Sequence, residues 1–212
     1  MKLVANVLFA AALVAGTANV AQAAGDAEAG KNKSAVCGAC HGADGNSAIP
    51  NFPKLAGQVE SYTIKQLKDM KSGDRQVPEM AGIVPGLSEQ DMADLAAYYA
   101  TQVSTKGAAD PKLVERGQHL FRAGDADKGV TACAGCHGAS GKGMAEAGFP
   151  ALAGQHGAYL EAQLKAFRAA GREDHEGKRR TNDGEGKMMR ATAARLSDDD
   201  IQALASYING MY

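Results

Sequence analysis

Tryptophan is absent from this 212-residue chain, and aromatic residues make up only 5% of it. So few rings are a thin stock for the core of one large or two small domains, which implies a bulky apolar group supplied from outside the polypeptide. A charge excess is missing too: 23 Lys and Arg face 24 Asp and Glu. No basic patch dense enough for nucleic acid appears, which excludes that class of partner. Past the first residues no apolar run approaches the length needed to cross a bilayer. Cysteine is rare, with four residues, whereas 26 glycines, 45% hydrophobic and 22% charged residues give a globular composition.

The start of the chain reads as a targeting segment. Lys2 precedes an apolar run over residues 3–15 broken only by Asn6, and Ala21, Gln22 and Ala23 fit an A-x-A cleavage site. This predicts a secretory signal peptide over residues 1–23, cut before Ala24, and export of the remainder. The alternative, an uncleaved anchor, needs a longer apolar run.

What remains is a repeat. NFPKLAGQ at residues 51–58 returns as GFPALAGQ at 148–155, and Tyr62, Gln66 and Leu67 return at the same offset as Tyr159, Gln163 and Leu164. Leu87 and Ser88 return as Leu196 and Ser197. Self-similarity at this spacing means one structural unit used twice. The units are residues 24–104 and 105–212, joined through a polar, small-residue stretch near 101–111 that ends in Pro111. The charge divides unevenly, 7 basic against 10 acidic residues in the first unit and 15 against 14 in the second. Such asymmetry can orient the molecule on a partner.

Each unit reads as helical. Ser88 with Asp91, and Ser197 with Asp200, have capping-box spacing. Apolar residues follow at Met92, Leu95, Ala96 and Tyr99, and at Ile201, Leu204, Ala205 and Ile208, a single buried stripe at helical period. Further helices are expected over residues 59–71 and 159–170. No period-2 alternation stands out, so the predicted class is all-α.

All four cysteines lie in two copies of Cys-x-x-Cys-His, VCGACHG at residues 36–42 and ACAGCHG at 132–138. A structural zinc needs four ligands close in the chain, yet Cys40 and Cys133 are 93 positions apart. A thioredoxin-like dithiol needs a βαβ setting and gives the histidine no role. Covalent c-type haem uses every residue: Cys37 and Cys40, or Cys133 and Cys136, form thioethers, and His41 or His137 is delivered to the iron. Two covalently bound haem c groups are therefore expected.

The sixth iron ligand separates a carrier from a catalyst, because methionine closes the iron whereas an open position admits peroxide or oxygen. Met92 aligns with Ile201 and Met70 with Phe167, so both read as packing. Met80 lies seven residues before Leu87, and Met189 seven before Leu196. That shared offset selects Met80 and Met189, with Met188 and Met144 as competitors. His119, His156 and His175 have no counterpart in the other unit and read as surface or capping residues. Pro53 and Pro150, 12 and 13 residues after their histidines, offer carbonyls to the imidazole Nδ1–H; a plain rigid turn is the other reading.

Taken together, AGDAEAG at residues 24–30, VCGACHG at 36–42, NFPKLAGQ at 51–58 and RTNDG at 180–184 resemble the di-haem cytochrome c4 family over essentially the whole exported chain. The resemblance implies two tandem class I cytochrome c domains about a pseudo-twofold axis, with haem propionates near their interface. It implies a periplasmic electron carrier and no small-molecule substrate. Its redox partners would be a donor such as a quinol-oxidising complex and an acceptor such as a terminal oxidase, with loose membrane association. The family's sixth ligands fall on Met80 and Met189, and its carbonyl partners on Pro53 and Pro150. Two rival readings use the same motifs: a haem subunit of a dehydrogenase complex, and a di-haem peroxidase with one open iron. The units differ in one respect, since Met80 follows Gln66 by 14 residues and Met189 follows Gln163 by 26. The densely charged stretch 173–187 falls in that extra length.

Overall fold

The computed structural model describes residues 24–174 and 177–211. The expected leader at residues 1–23 lies outside the described residues, as does His175. In chain order they form α1 (Ala27–Lys33), α2 (Ala35–His41), α3 (Glu60–Ser72), α4 (Glu89–Ala100), α5 (Pro111–Ala123), α6 (Ala134–His137), α7 (Gly157–Gly171), α8 (Met188–Ala193) and α9 (Asp198–Asn209). Two 3₁₀ turns, Pro78–Met80 and Val84–Gly86, lie between α3 and α4. Among the described residues the only β pairing is isolated, Asp125 with Val130 and Met144 with Phe149. The all-α expectation holds.

Both halves start and end by the same chemistry. Asp26 accepts from the backbone N–H groups of Glu28 and Ala29 to open α1, and Asp110 accepts from that of Lys112 to open α5. The last helices, α4 and α9, carry complete capping boxes, Ser88 with Asp91 and Ser197 with Asp200. Pro111, expected to close a linker, is instead the first residue of α5. That position has no intrahelical N–H bond to lose, so proline begins a helix there as readily as it ends a loop.

First and last helices of each half cross at a glycine. A Cβ on Gly30 would stand 2.0 Å from the Asp94 carbonyl oxygen of α4, and one on Gly117 would stand 2.3 Å from the Ala203 carbonyl oxygen of α9. Only hydrogen fits there, so the backbones approach as closely as helices can. Around the crossings sit the predicted stripes: Met92, Leu95, Ala96 and Tyr99 in the first half, and Ile201, Leu204, Ala205 and Ile208 in the second, each at most 3% exposed. Leu120, Phe121 and Leu196 complete the second core.

The halves are locked together by arginines that reach both ways. Arg75 donates to Gln66 Oε1 of its own half (2.7 Å) and to the Tyr159 hydroxyl of the other (2.9 Å). Arg180 donates to Gln163 Oε1 in its own half (2.8 Å) and to the Tyr62 hydroxyl opposite (3.0 Å). The Arg180 guanidinium also lies 4.5 Å from the centroid of the Phe167 ring. His156 is the N-terminal cap residue of α7. Its Nε2 pairs with the Ser47 carbonyl across the boundary at 2.8 Å.

Candidate functional site

α2 carries Cys37, Cys40 and His41, so the two thiols sit one turn apart on a single side of the helix. In the second half the helix is shorter: Cys133 is the residue before α6, in helical conformation, while Cys136 and His137 lie within it. All four thiols are free. Burial pushes the Cys37 thiol above its ordinary pKa and the Cys133 thiol up to about 11.

Each histidine is buried and pinned at one nitrogen. His41 Nδ1 lies 2.8 Å from the Pro53 carbonyl, and His137 Nδ1 lies 2.9 Å from that of Pro150. A carbonyl only accepts, so Nδ1 carries the proton and Nε2 keeps a free lone pair. Burial lowers the pKa of both imidazoles, and the proline carbonyl bond works in the opposite direction. The net depression favours the neutral ring, the form that ligates a metal. Phe52 and Phe149 meet these rings edge-on, at 6.1 and 6.2 Å between centroids.

The methionines occupy unlike elements. Met80 ends the 3₁₀ turn Pro78–Met80, whereas Met189 is the second residue of α8 and packs against the second core. Met188, its neighbour, is 50% exposed and Met144 is 41% exposed, while Met92 is 1% exposed within the first core. His119 is exposed.

The surroundings fit two bulky apolar groups attached at the cysteines. Val36 and Ile49, flanking the first motif in the chain, are 56% and 44% exposed, apolar surface that a group attached at Cys37 and Cys40 could cover. The Tyr99 hydroxyl is buried with no hydrogen-bond partner among the described residues. Burial raises its pKa, and the Cys37 thiol beside it adds to the rise. An unpartnered buried hydroxyl beside Cys37 fits a place completed by something other than protein. Among the described residues no three His, Cys, Asp or Glu side chains converge as a metal cage, so the two motifs stand as separate sites.

Sequence reasoning missed three kinds of residue here: Tyr99, assigned only to the core, the interface arginines, and Gln58 with Gln155. The glutamines end the repeated NFPKLAGQ and GFPALAGQ segments, a signal that was available; the arginines follow Gln66 and Gln163 at different distances, so no alignment of the halves exposes them.

With this geometry in place, the chain was compared with known proteins. The cytochrome c family matches residues 27–102 and 114–211. A relative from Pseudomonas aeruginosa called cytochrome c4 is 54% identical over 200 residues, covering 94% of this chain and 96% of that one. The crystal structure of reduced recombinant cytochrome c4 from Pseudomonas stutzeri superposes with a TM-score of 0.83 at 52% identity, covering 89% of this chain and 100% of that chain. A thiosulfate dehydrogenase electron acceptor from Thiomonas intermedia is 36% identical over 180 residues, 83% of this chain and 78% of the relative.

Proposed function

Since the chain belongs to the cytochrome c family, as a di-haem electron-transfer protein of the cytochrome c4 kind with haem c at both Cys-x-x-Cys-His motifs, we propose that it is an exported, periplasmic shuttle of single electrons. Its domains are residues 24–104 and 105–212, freed from a leader at 1–23. His41 and Met80 would hold the first iron, His137 and Met189 the second. Electrons arrive from a donor such as a quinol-oxidising complex and leave to an acceptor such as a terminal oxidase; no small molecule is turned over.

The observation that carries this reading is the duplicated anchor. Each histidine follows two free thiols, has Nδ1 on a proline carbonyl, and presents an unused Nε2. The haem supplies the reversible one-electron change. The chain's residues would hold that group: the cysteines by thioethers, and the buried histidines, each kept in place by a proline carbonyl, by the Nε2 lone pair.

The test is the long-wavelength iron–sulfur charge-transfer band of the ferric protein, quantified per haem. Methionine ligation at both irons accounts for two haems, and Met80→Ala and Met189→Ala each remove half. A band worth a single haem in the unaltered protein sinks the shuttle reading and points to peroxidase chemistry at the open iron.

A second reading is favoured by the 36% identity to a thiosulfate dehydrogenase electron acceptor. In that reading the protein takes electrons from a dehydrogenase acting on a sulfur anion. Stopped-flow reduction by such an enzyme with thiosulfate, set against reduction by a quinol-oxidising complex, separates the two by rate.

A further inference from the structure

A single peptide group stands between each buried histidine and the opposite domain. The Pro53–Lys54 peptide faces His41 Nδ1 with its carbonyl at 2.8 Å, and its N–H donates to Gln155 Oε1 at 2.8 Å. The Pro150–Ala151 peptide does the same, facing His137 Nδ1 at 2.9 Å and donating to Gln58 Oε1 at 2.8 Å. Each glutamine also donates back, Gln155 Nε2 to the Lys54 carbonyl (2.9 Å) and Gln58 Nε2 to the Ala151 carbonyl (3.0 Å). Both Oε1 atoms accept a second N–H, from His156 and Val59, the cap residues of α7 and α3. The glutamines are the same letter of the repeat, so the arrangement is reciprocal: every domain holds the other's histidine-bearing peptide.

We propose that Gln58 and Gln155 are crossed positioning residues, each setting the hydrogen bond on the proximal histidine, and thereby the redox potential of the haem, in the domain opposite its own. The inference rests on ligation by His41 and His137. Its physical basis is polarisation along a hydrogen-bonded chain. A peptide whose N–H is engaged has a more negative carbonyl oxygen. That oxygen pulls harder on the imidazole Nδ1–H and makes the ring a more basic ligand. A more basic ligand favours ferric iron and lowers the potential. Because the controlling amide lies in the other domain, closeness of the two domains is written into each potential.

The lock on the first domain is the stronger one. Lys54 is 6% exposed, and its ammonium donates to the Thr105 and Gly154 carbonyls at 2.6 and 2.9 Å. Its counterpart Ala151 has no such reach. Loss of Gln155 therefore leaves the first peptide in place but unpolarised, whereas loss of Gln58 also frees the second peptide to shift.

The experiment uses the full-length, haem-loaded protein with Gln155→Met and Gln58→Met, which keep side-chain volume and remove the amide. Two quantities are read: the midpoint potential of each haem, and the Nδ1–H proton resonance of each histidine in the fully reduced, diamagnetic state. Gln155→Met is expected to raise the potential of the haem on Cys37 and Cys40 and to move the His41 Nδ1–H resonance upfield, with the His137 resonance fixed. Gln58→Met is expected to act on the haem on Cys133 and Cys136 and on His137. A purely structural role predicts another sign, because a loosened interface admits water, favours the ferric form and lowers both potentials. That outcome, or a shift confined to the variant's own domain, overturns the proposal. Should a methionine variant fail to load haem, Gln155→Glu keeps an acceptor and is expected to move the His41 resonance downfield; an unmoved resonance is equally fatal. In the unaltered reduced protein, strong ring-current shifts of the His41 and His137 ring protons report ligation itself, so failure of the ligand reading is recognised separately.

Discussion

At the scale of single residues, exposure distinguishes two adjacent methionines, of which Met189 is the proposed ligand. Met188 is 50% exposed, while Met189 packs on the second core. Met188→Ala is therefore expected to leave the iron–sulfur band intact and Met189→Ala to halve it, a comparison read from one ferric spectrum of each. Asp200 supplies a pH prediction. Burial alone would raise its carboxyl pKa, but hydrogen bonds from Lys128, Arg116 and the Ser197 backbone N–H hold it well below the usual carboxylate range. A folded pKa depressed below the unfolded value, about 3.9, means that the stabilisation is complete above that pH and is lost as pH falls through the folded value. Melting temperatures followed from pH 7 to pH 2 should fall steeply below about pH 4. Asp200→Asn should start lower and fall less; an equally steep fall shows that other carboxylates govern acid unfolding. The cysteines, the histidines and the prolines that meet them were nameable from sequence, because haem chemistry fixes the Cys-x-x-Cys-His string and the repeat supplies a second copy to align; Met80 and Met189 were named by the same alignment and await the spectrum. The neutral, pinned state of the imidazoles was not readable from sequence, since it depends on burial and on a carbonyl 12 or 13 residues away.

At the scale of elements, period and caps made α4 and α9 legible: both begin after the serines of their capping boxes and bury the stripes read from the sequence. α3 and α7 were found with ends displaced by one or two residues, Glu60–Ser72 and Gly157–Gly171. α1 and α5 passed unremarked. α1 is seven residues long with only Gly30 buried, too short to show a stripe, and α5 begins at a proline that also reads as a loop end. What organises them is contact rather than pattern, the glycine crossings on α4 and α9. A methyl group at Gly117 would meet the backbone oxygen of Ala203 at 2.3 Å, an atom that cannot rotate aside. Gly117→Ala is expected to cost roughly 1–3 kcal/mol by overpacking, measured as a shift in denaturant midpoint with unchanged slope. Gly157→Ala is the control, because the nearest atom to a Cβ placed there is the Ala205 carbonyl oxygen at 3.7 Å, an ordinary contact. Equal losses at the two positions would mean that the crossing is not what the glycine serves.

At the scale of the whole molecule, the question is whether two domains joined by an irregular stretch near 101–110 behave as one. Duplication alone argues for independence, since each half has its own core. Against that stand the crossed contacts, which the sequence conceals because every partner lies about a hundred positions away. Arg180 is 8% exposed. It donates to Asn182, Gln163, Tyr62 and Gln66, all neutral oxygens. Burial opposes its charge, yet the neighbouring Tyr62 and Tyr159 and the more distant Asp69 hold its pKa up. Removing such a hub takes the donor from the half-buried Tyr62 hydroxyl and Asn182 Oδ1, at about 1–3 kcal/mol for each one left unsatisfied, while Gln66 and Gln163 keep Arg75 as a donor. Those acceptors belong to both domains, so the loss falls on the coupling more than on either core. The haem-loaded protein is accordingly expected to unfold in one calorimetric transition, with van't Hoff and calorimetric enthalpies in agreement. Arg180→Met, which keeps an apolar body against Phe167 while deleting the donors, should split that transition into two. The second domain, deprived of its own arginine's hydrogen bonds to Gln163 and Asn182, should melt first. A variant that still unfolds in one step, merely at lower temperature, would place the coupling elsewhere, in the glutamine pair and Lys54, and would make those the residues that turn two cytochrome domains into one molecule.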